Sequence, residues 1–303
     1  MKNIKIMYMG TPDFAAYILE KLITDGYNVT SVVTKTDARK DRGQKIKFSA
    51  VKEVALGHNI TVYQPETLKD NAFLEVLENE KPDMIIVAAY GKILPPYIIS
   101  YPKYGCINVH ASLLPKYRGS APIQYAILKG EKESGVTTML MDNGLDTGAM
   151  LVKKSVPITD EDTGGSLHDK LMETGYDALT ETIESIESIT PIPQDDSLMT
   201  YAPPIKKEET VIDFNDNAKD IINRIRGFYP FPGTSFILNG NSYKIHKAEL
   251  FSSEDKGSYG EVYEFTKNGL KIRAKGGIIN ILEIQPAGKR KMPICDFYNG
   301  NKL

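Results

Sequence analysis

Short runs of consecutive apolar residues recur along the first half of the chain, each followed by a stretch with helical spacing. Met84-Ile-Ile-Val-Ala-Ala-Tyr is the purest of them. A run without alternation fits a strand covered on both faces, as at the centre of a parallel sheet. Ile4-Lys-Ile-Met-Tyr-Met-Gly ends in a glycine turn and leads into Asp13-Phe-Ala-Ala-Tyr-Ile-Leu-Glu-Lys-Leu, whose apolar positions recur at helical intervals. Val29-Thr-Ser-Val-Val-Thr and Ile60-Thr-Val-Tyr add strands, Met150 to Ile158 an edge strand, and helices are expected over 49–57, over 70–80 and within 163–189. The alternation predicts an α/β fold with a doubly wound, mostly parallel, Rossmann-like sheet. Ligands of such sheets sit outside the carboxyl ends of the strands. Only Gly10 of a Gly-x-Gly-x-x-Gly fingerprint is present, so a nicotinamide or flavin cofactor is not expected.

Beyond the central run, residues 105–119 read Gly-Cys-Ile-Asn-Val-His-Ala-Ser-Leu-Leu-Pro-Lys-Tyr-Arg-Gly. Asn108 and His110 stand two apart, so on an extended backbone both leave one face. An amide that donates to a developing oxyanion and an imidazole that moves a proton are what an acyl transfer needs. A satisfied core or surface histidine is the plainer reading of His110. Asp142 and Asp146 follow in the glycine-punctuated loop after Val136-Thr-Thr-Met-Leu-Met. Asp146 can orient or charge-pair His110, or be a turn carboxylate.

Asn-x-His-x-Ser-Leu-Leu-Pro-x-x-Arg-Gly followed by Gly-Leu-Asp-Thr-Gly resembles the folate-dependent formyltransferase family. Gly10-Thr-Pro-Asp-Phe-Ala, Ala89-Tyr-Gly-Lys-Ile-Leu-Pro, Tyr201-Ala-Pro-Pro-Ile-Lys-Lys-Glu-Glu and Gln285-Pro-Ala-Gly-Lys-Arg-Lys-Met extend the likeness over nearly the whole chain. It is greatest to the branch that acts on methionyl-tRNA. The resemblance implies transfer of the formyl group of 10-formyltetrahydrofolate to the α-amine of initiator methionyl-tRNA through a tetrahedral intermediate, with Asn108, His110 and Asp146 catalytic and no metal. It places folate between Tyr90, Gly91, Ile93 and Leu94 on one side and Ser112, Leu113, Leu114 and Pro115 on the other, with apolar side chains flanking the pterin. A sugar-nucleotide amine formyltransferase would share the triad, as would a glycinamide ribonucleotide formyltransferase, normally a single domain. A formyl-folate dehydrogenase would need a much longer chain. An RNA-binding module with a degenerate folate site has no use for all three polar residues.

The 303 residues allow one large or two ordinary domains. The polar, proline-bearing stretch 190–207 reads as a linker between a catalytic domain, 1–189, and a C-terminal domain, 208–303. In the latter, Ala218 to Phe228 is a helix with Ile221, Ile222 and Ile225 inward and Arg224 and Arg226 available. Short strands between Gly and Asn turns follow, suggesting a small barrel. The resemblance makes it an OB-like tRNA-binding domain with Lys206, Lys207, Lys289, Arg290 and Lys291 as candidate phosphate contacts.

From residue 206 on, 16 Lys and Arg face 12 Asp and Glu, against 21 and 27 before it. That imbalance fits an RNA-facing domain or ordinary surface variation. Lys35 to Lys47 holds six cations against two aspartates and reads as a mobile loop, solvated or functional. The resemblance makes it an RNA contact through Arg42, Lys45 and Lys47. Cys106 and Cys295 have neither the spacing nor the His partners of a zinc site or disulfide framework. With no signal segment or membrane-length apolar run, a cytoplasmic monomer is expected.

Overall fold

The computed structural model describes residues 2–39, 46–254 and 256–300. Among the described residues the strands are β1 (Ile6–Gly10), β2 (Val29–Val33), β3 (Ala38–Arg39), β4 (Ile46–Lys47), β5 (Thr61–Tyr63), β6 (Met84–Ala88), β7 (Cys106–His110), β8 (Glu133–Leu140), β9 (Met150–Pro157), β10 (Thr234–Leu238), β11 (Asn241–Ser252), β12 (Val262–Thr266), β13 (Gly269–Ala274), β14 (Gly277–Pro286) and β15 (Met292–Pro293). The helices are α1 (Asp13–Thr24), α2 (Ala50–Gly57), α3 (Leu74–Glu80), α4 (Pro96–Ile99), α5 (Pro122–Leu128), α6 (Gly164–Ser185), α7 (Ala218–Phe228) and α8 (Ile294–Gly300). Two compact units result. One comprises Met1–Gly119, Ser134–Val156 and His168–Tyr201, the other Ser120–Glu133, Pro157–Leu167 and Ala202–Leu303.

The first unit is built on a seven-stranded sheet in the order β5-β2-β1-β6-β7-β8-β9. The expected parallel pairing runs from β5 to β7, and β8 then pairs antiparallel with β7. Continuous apolar sequence makes β1 and β6 buried at every residue. Met7, Met9, Ile85, Val87, Phe73 and Leu77 share one core beneath a face of this sheet. Burial on that scale, roughly 2 kcal/mol per large side chain, outweighs any single polar contact in the unit.

Local chemistry explains where the elements depart from expectation. Helix α2 begins as predicted, because the Ser49 hydroxyl accepts the Lys52 N–H at 3.1 Å. Helix α3 starts later than residue 70, since Asp70 and Asn71 hold left-handed backbone angles of +53° and +58° that no helix accommodates. The expected loop 35–47 contains instead an antiparallel pairing of β3 with β4, through Ala38↔Lys47 and Arg39↔Ile46.

In the second unit, β10-β11-β14-β13-β12 form an antiparallel sheet, with β15 added alongside β14. Register shifts in β11 let its twelve residues bend across β14. Helix α7, capped by the Asn217 side chain at 2.9 Å, lays Ala218, Ile221 and Ile225 against Phe236, Ile245, Ile272 and Ile281. Both of its arginines, expected to be available, make contacts within the unit. Arg224 pairs with Asp216 at 3.0 Å, and Arg226 Nη1 donates to the carbonyls of Thr159, Asp160 and Asp162.

Candidate active site

Register fixes the height of the reactive pair. Asn108 of β7 stands opposite Val87, one residue short of the carboxyl end of β6, and His110 is the last residue of its strand. Both side chains therefore emerge on one face at the carboxyl rim of the parallel strands.

The acid arrives differently. Because β8 runs against β7, its last residue, Leu140, pairs with Ile107, and the Met141 N–H donates to the Cys106 carbonyl at 2.8 Å. The chain thus leaves β8 at the amino end of β7 and turns back along it. Asp146 then meets the pair from a left-handed backbone, φ +53°. One carboxylate oxygen accepts the Asn108 amide at 3.3 Å, and the other accepts the Gly119 main-chain N–H at 2.8 Å. The second oxygen also lies 3.7 Å from His110 Nδ1, with the two side chains 7% and 13% exposed. His110 Nε2 contacts the Tyr117 carbonyl at 3.0 Å. A carbonyl only accepts, so Nε2 carries the proton and Nδ1 is the nitrogen turned toward the acid.

Residues 112–116 form a self-braced loop. The Ser112 hydroxyl donates to the Lys116 carbonyl at 2.6 Å, and Thr137 Oγ1 takes the Leu114 N–H while donating to the Ser112 carbonyl. Lys153 Nζ adds a bond to the Leu114 carbonyl at 2.6 Å. Several residues expected to line a ligand are buried. Tyr90 and Leu94, 1% and 3% exposed, lie in the core below the sheet face, and burial pushes the Tyr90 hydroxyl up to about 12. Leu114 is buried with Met139 and Met150, and the buried Ser112 hydroxyl is occupied by Lys116. Gly91, Ile93, Leu113 and Pro115 remain at least partly accessible.

Sequence reasoning passed over what lies behind Asp146. Arg118, 3% exposed, donates to Gln194 Oε1 from Nε at 3.0 Å and from Nη2 at 2.7 Å, and Nη2 also reaches Asp196 Oδ1 at 2.7 Å. The Gln194 amide donates to the carbonyls of Asp146 and Gly148, both at 2.8 Å. A lone glutamine between Pro193 and Asp195 carries no pattern that flags it. Residues 192–201 are also tied down by pairings of Ile192 with Met150 and of Tyr201 with Arg118.

Of the candidate RNA contacts, Lys47, Lys206, Lys207, Lys289 and Arg290 are exposed, while Arg42 and Lys45 lie outside the described residues. Lys291 is engaged, 2.5 Å from Glu283 and 5.2 Å from the Tyr229 ring. Among the described residues, no three His, Cys, Asp or Glu side chains cluster as metal ligands, and no helix is long and apolar enough to cross a membrane.

An amide, an imidazole and a carboxylate gathered at the rim of a Rossmann-like sheet fit the class of acyl-group transferases. The comparisons narrow that class. Residues 2–183 match the formyl transferase family model, and residues 204–302 match the formyl transferase C-terminal domain. The chain belongs to the formyl transferase family. A methionyl-tRNA formyltransferase of Alkaliphilus oremlandii is 46% identical over 302 residues, 99% of this chain and 97% of that protein. One from Caldanaerobacter subterraneus is 47% identical, covering 99% and 98%. Among solved structures, an N-formyltransferase from Helicobacter canadensis, in complex with folinic acid and dTDP-3-aminofucose, has a TM-score of 0.69 at 25% identity. That likeness covers 93% of this chain and 99% of that one.

Proposed function

We propose that this protein transfers the formyl group of 10-formyltetrahydrofolate to the α-amine of initiator methionyl-tRNA, in the cytoplasm. The observation that carries the reading is the single Asp146 carboxylate that accepts from Asn108 and Gly119 and lies 3.7 Å from His110 Nδ1. The near-full-length relatives supply the acceptor. When bound, the folate supplies a formyl carbon open to attack by an amine. Gly91, Ile93, Leu113 and Pro115 would hold it. Ile93 is 92% exposed, an apolar surface suited to a flat heteroaromatic ring. At Gly91 an added Cβ would lie 2.6 Å from Lys35 Nζ, so a cation stands beside that turn for an anionic tail.

Each polar residue then has a distinct task. Asn108 commits one amide N–H to Asp146 and retains the other for the oxygen on which negative charge develops, a contribution of about 3 kcal/mol. His110 offers Nδ1 for proton movement, its ring held by the Tyr117 carbonyl. Asp146 balances the positive charge that an attacking amine and a protonated imidazole would bring. Lys47, Lys206, Lys207, Lys289 and Arg290, with Arg42, Lys45 and Lys291, are the candidate phosphate contacts.

The test is formyl acceptance. Purified protein with 10-formyltetrahydrofolate is expected to formylate methionyl-tRNA and to leave a panel of amino-sugar nucleotides unmodified. Formylation of a sugar nucleotide without any of methionyl-tRNA overturns the reading and favours the acceptor class of the Helicobacter protein.

A further inference from the structure

Asp146 is the one member of the reactive cluster that no strand holds. It sits in the excursion between β8 and β9, in a backbone conformation that costs an L residue roughly 1 to 2 kcal/mol. Such a conformation persists only where the surroundings over-determine it. Gln194 does this from outside the loop. Its two amide N–H groups are spent on the Asp146 and Gly148 carbonyls, and its amide oxygen accepts two N–H groups of Arg118. All four bonding positions of the amide are therefore filled, and a flipped amide would set oxygen against carbonyls and NH2 against the guanidinium. The residue after Arg118 is Gly119, whose N–H lies on the Asp146 carboxylate. A closed circuit runs from the Asp146 main chain through Gln194, Arg118 and Gly119 back to the Asp146 side chain.

We infer that Gln194 is a positioning residue for the formyl transfer, acting through Arg118 and the Asp146 main chain to hold the carboxylate against Asn108 and His110. The inference rests on the proposed chemistry. It adds a requirement that the reactive triad does not contain. Removing these bonds frees the loop to carry the acid away, and a displacement of about 1 Å costs up to about 100-fold in rate.

Gln194→Met keeps the volume and removes every bond. It is expected to lower kcat between about 10-fold and 100-fold while KM for both substrates stays within about 2-fold. The same change in an Asp146→Ala background is expected to cost nothing further in single-turnover assays, since the group it positions is gone. The 15N signals of the His110 ring are expected to move in Gln194→Met, with the thermal midpoint lowered only a few degrees, about what losing a few hydrogen bonds allows. Three results overturn the inference: wild-type kcat in Gln194→Met, an equal loss with and without Asp146, or an unmoved His110 signal. If the wild-type protein itself fails to formylate methionyl-tRNA, the proposed function falls instead, and the His110 signal still reports on Gln194.

Discussion

Asn108 and Asp146 are joined by one N–H of the asparagine amide, 3.3 Å from the carboxylate oxygen. That bond fixes the amide plane and aims its second N–H, so the donor is oriented before any ligand arrives. Asn108→Ala is expected to lower kcat about 100- to 1000-fold, the usual loss for one oxyanion donor, with KM little changed. Asn108→Asp is expected to be at least as damaging, because it sets two carboxylates face to face. Steady-state kinetics with both substrates check this; wild-type kcat in Asn108→Ala would remove the residue from the mechanism.

Cys106 and Cys295 should behave as opposites. Burial pushes the Cys106 thiol from its ordinary 9.0 up to about 12, whereas Cys295 is exposed. With a thiol reagent near neutral pH, one thiol is expected to react in the folded protein and the second only after denaturation. The raised thiol stays protonated in the folded chain at pH values where the unfolded thiol has ionised. Its contribution to stability is therefore full below 9.0 and lost as pH climbs toward about 12. Urea midpoints across that range are expected to fall, and to fall less steeply in Cys106→Ala.

Arg226 ties α7 to the segment 159–162 by three carbonyl contacts and also donates to Asn223 at 2.9 Å. Arg226→Ala leaves those acceptors without their charged donor. A loss of about 1 to 2 kcal/mol is expected in denaturant unfolding, because the Thr159 and Asp160 carbonyls face solvent and only the Asp162 carbonyl and Asn223 are left partly buried without their donor. A midpoint equal to wild type would show that water replaces the guanidinium at no cost.

Replacing Arg42, Lys45 and Lys47 together by Ala is expected to raise KM for methionyl-tRNA and to flatten its dependence on salt. Each lost phosphate contact lowers the slope of log affinity against log salt by roughly one. Measuring KM for the tRNA at several ionic strengths decides it. Unchanged values at every salt concentration would remove the basic segment from the interface.

What the sequence made legible was set by short-range rules. Apolar runs such as Met84–Ala88 announced the central strands because burial on both faces leaves no room for polar residues. Spacing alone put Asn108 and His110 on one face, and Ser49 marked a helix start. Less visible were properties that depend on what lies opposite. The late start of α3 follows from two left-handed residues, and the burial of Tyr90, Leu94 and Leu114 follows from packing partners distant in sequence. Gln194 was hidden for the same reason, since its partners are Arg118, Asp146 and Gly148. Polar, proline-bearing sequence reads as a connector whether or not one of its side chains is bolted to a reactive loop.

The reversal of β8 brings the centre together from two directions. Asparagine and histidine ride on a strand whose placement is dictated by its neighbours, so altering it would disturb the whole layer. The aspartate hangs on a tether that starts from the opposite rim. The length of that tether is fixed by its reach, because it must carry the carboxylate to Asn108 and Gly119 and return through Gly148, so a residue added or removed there would pull the acid away from a donor and a base that stay where they are.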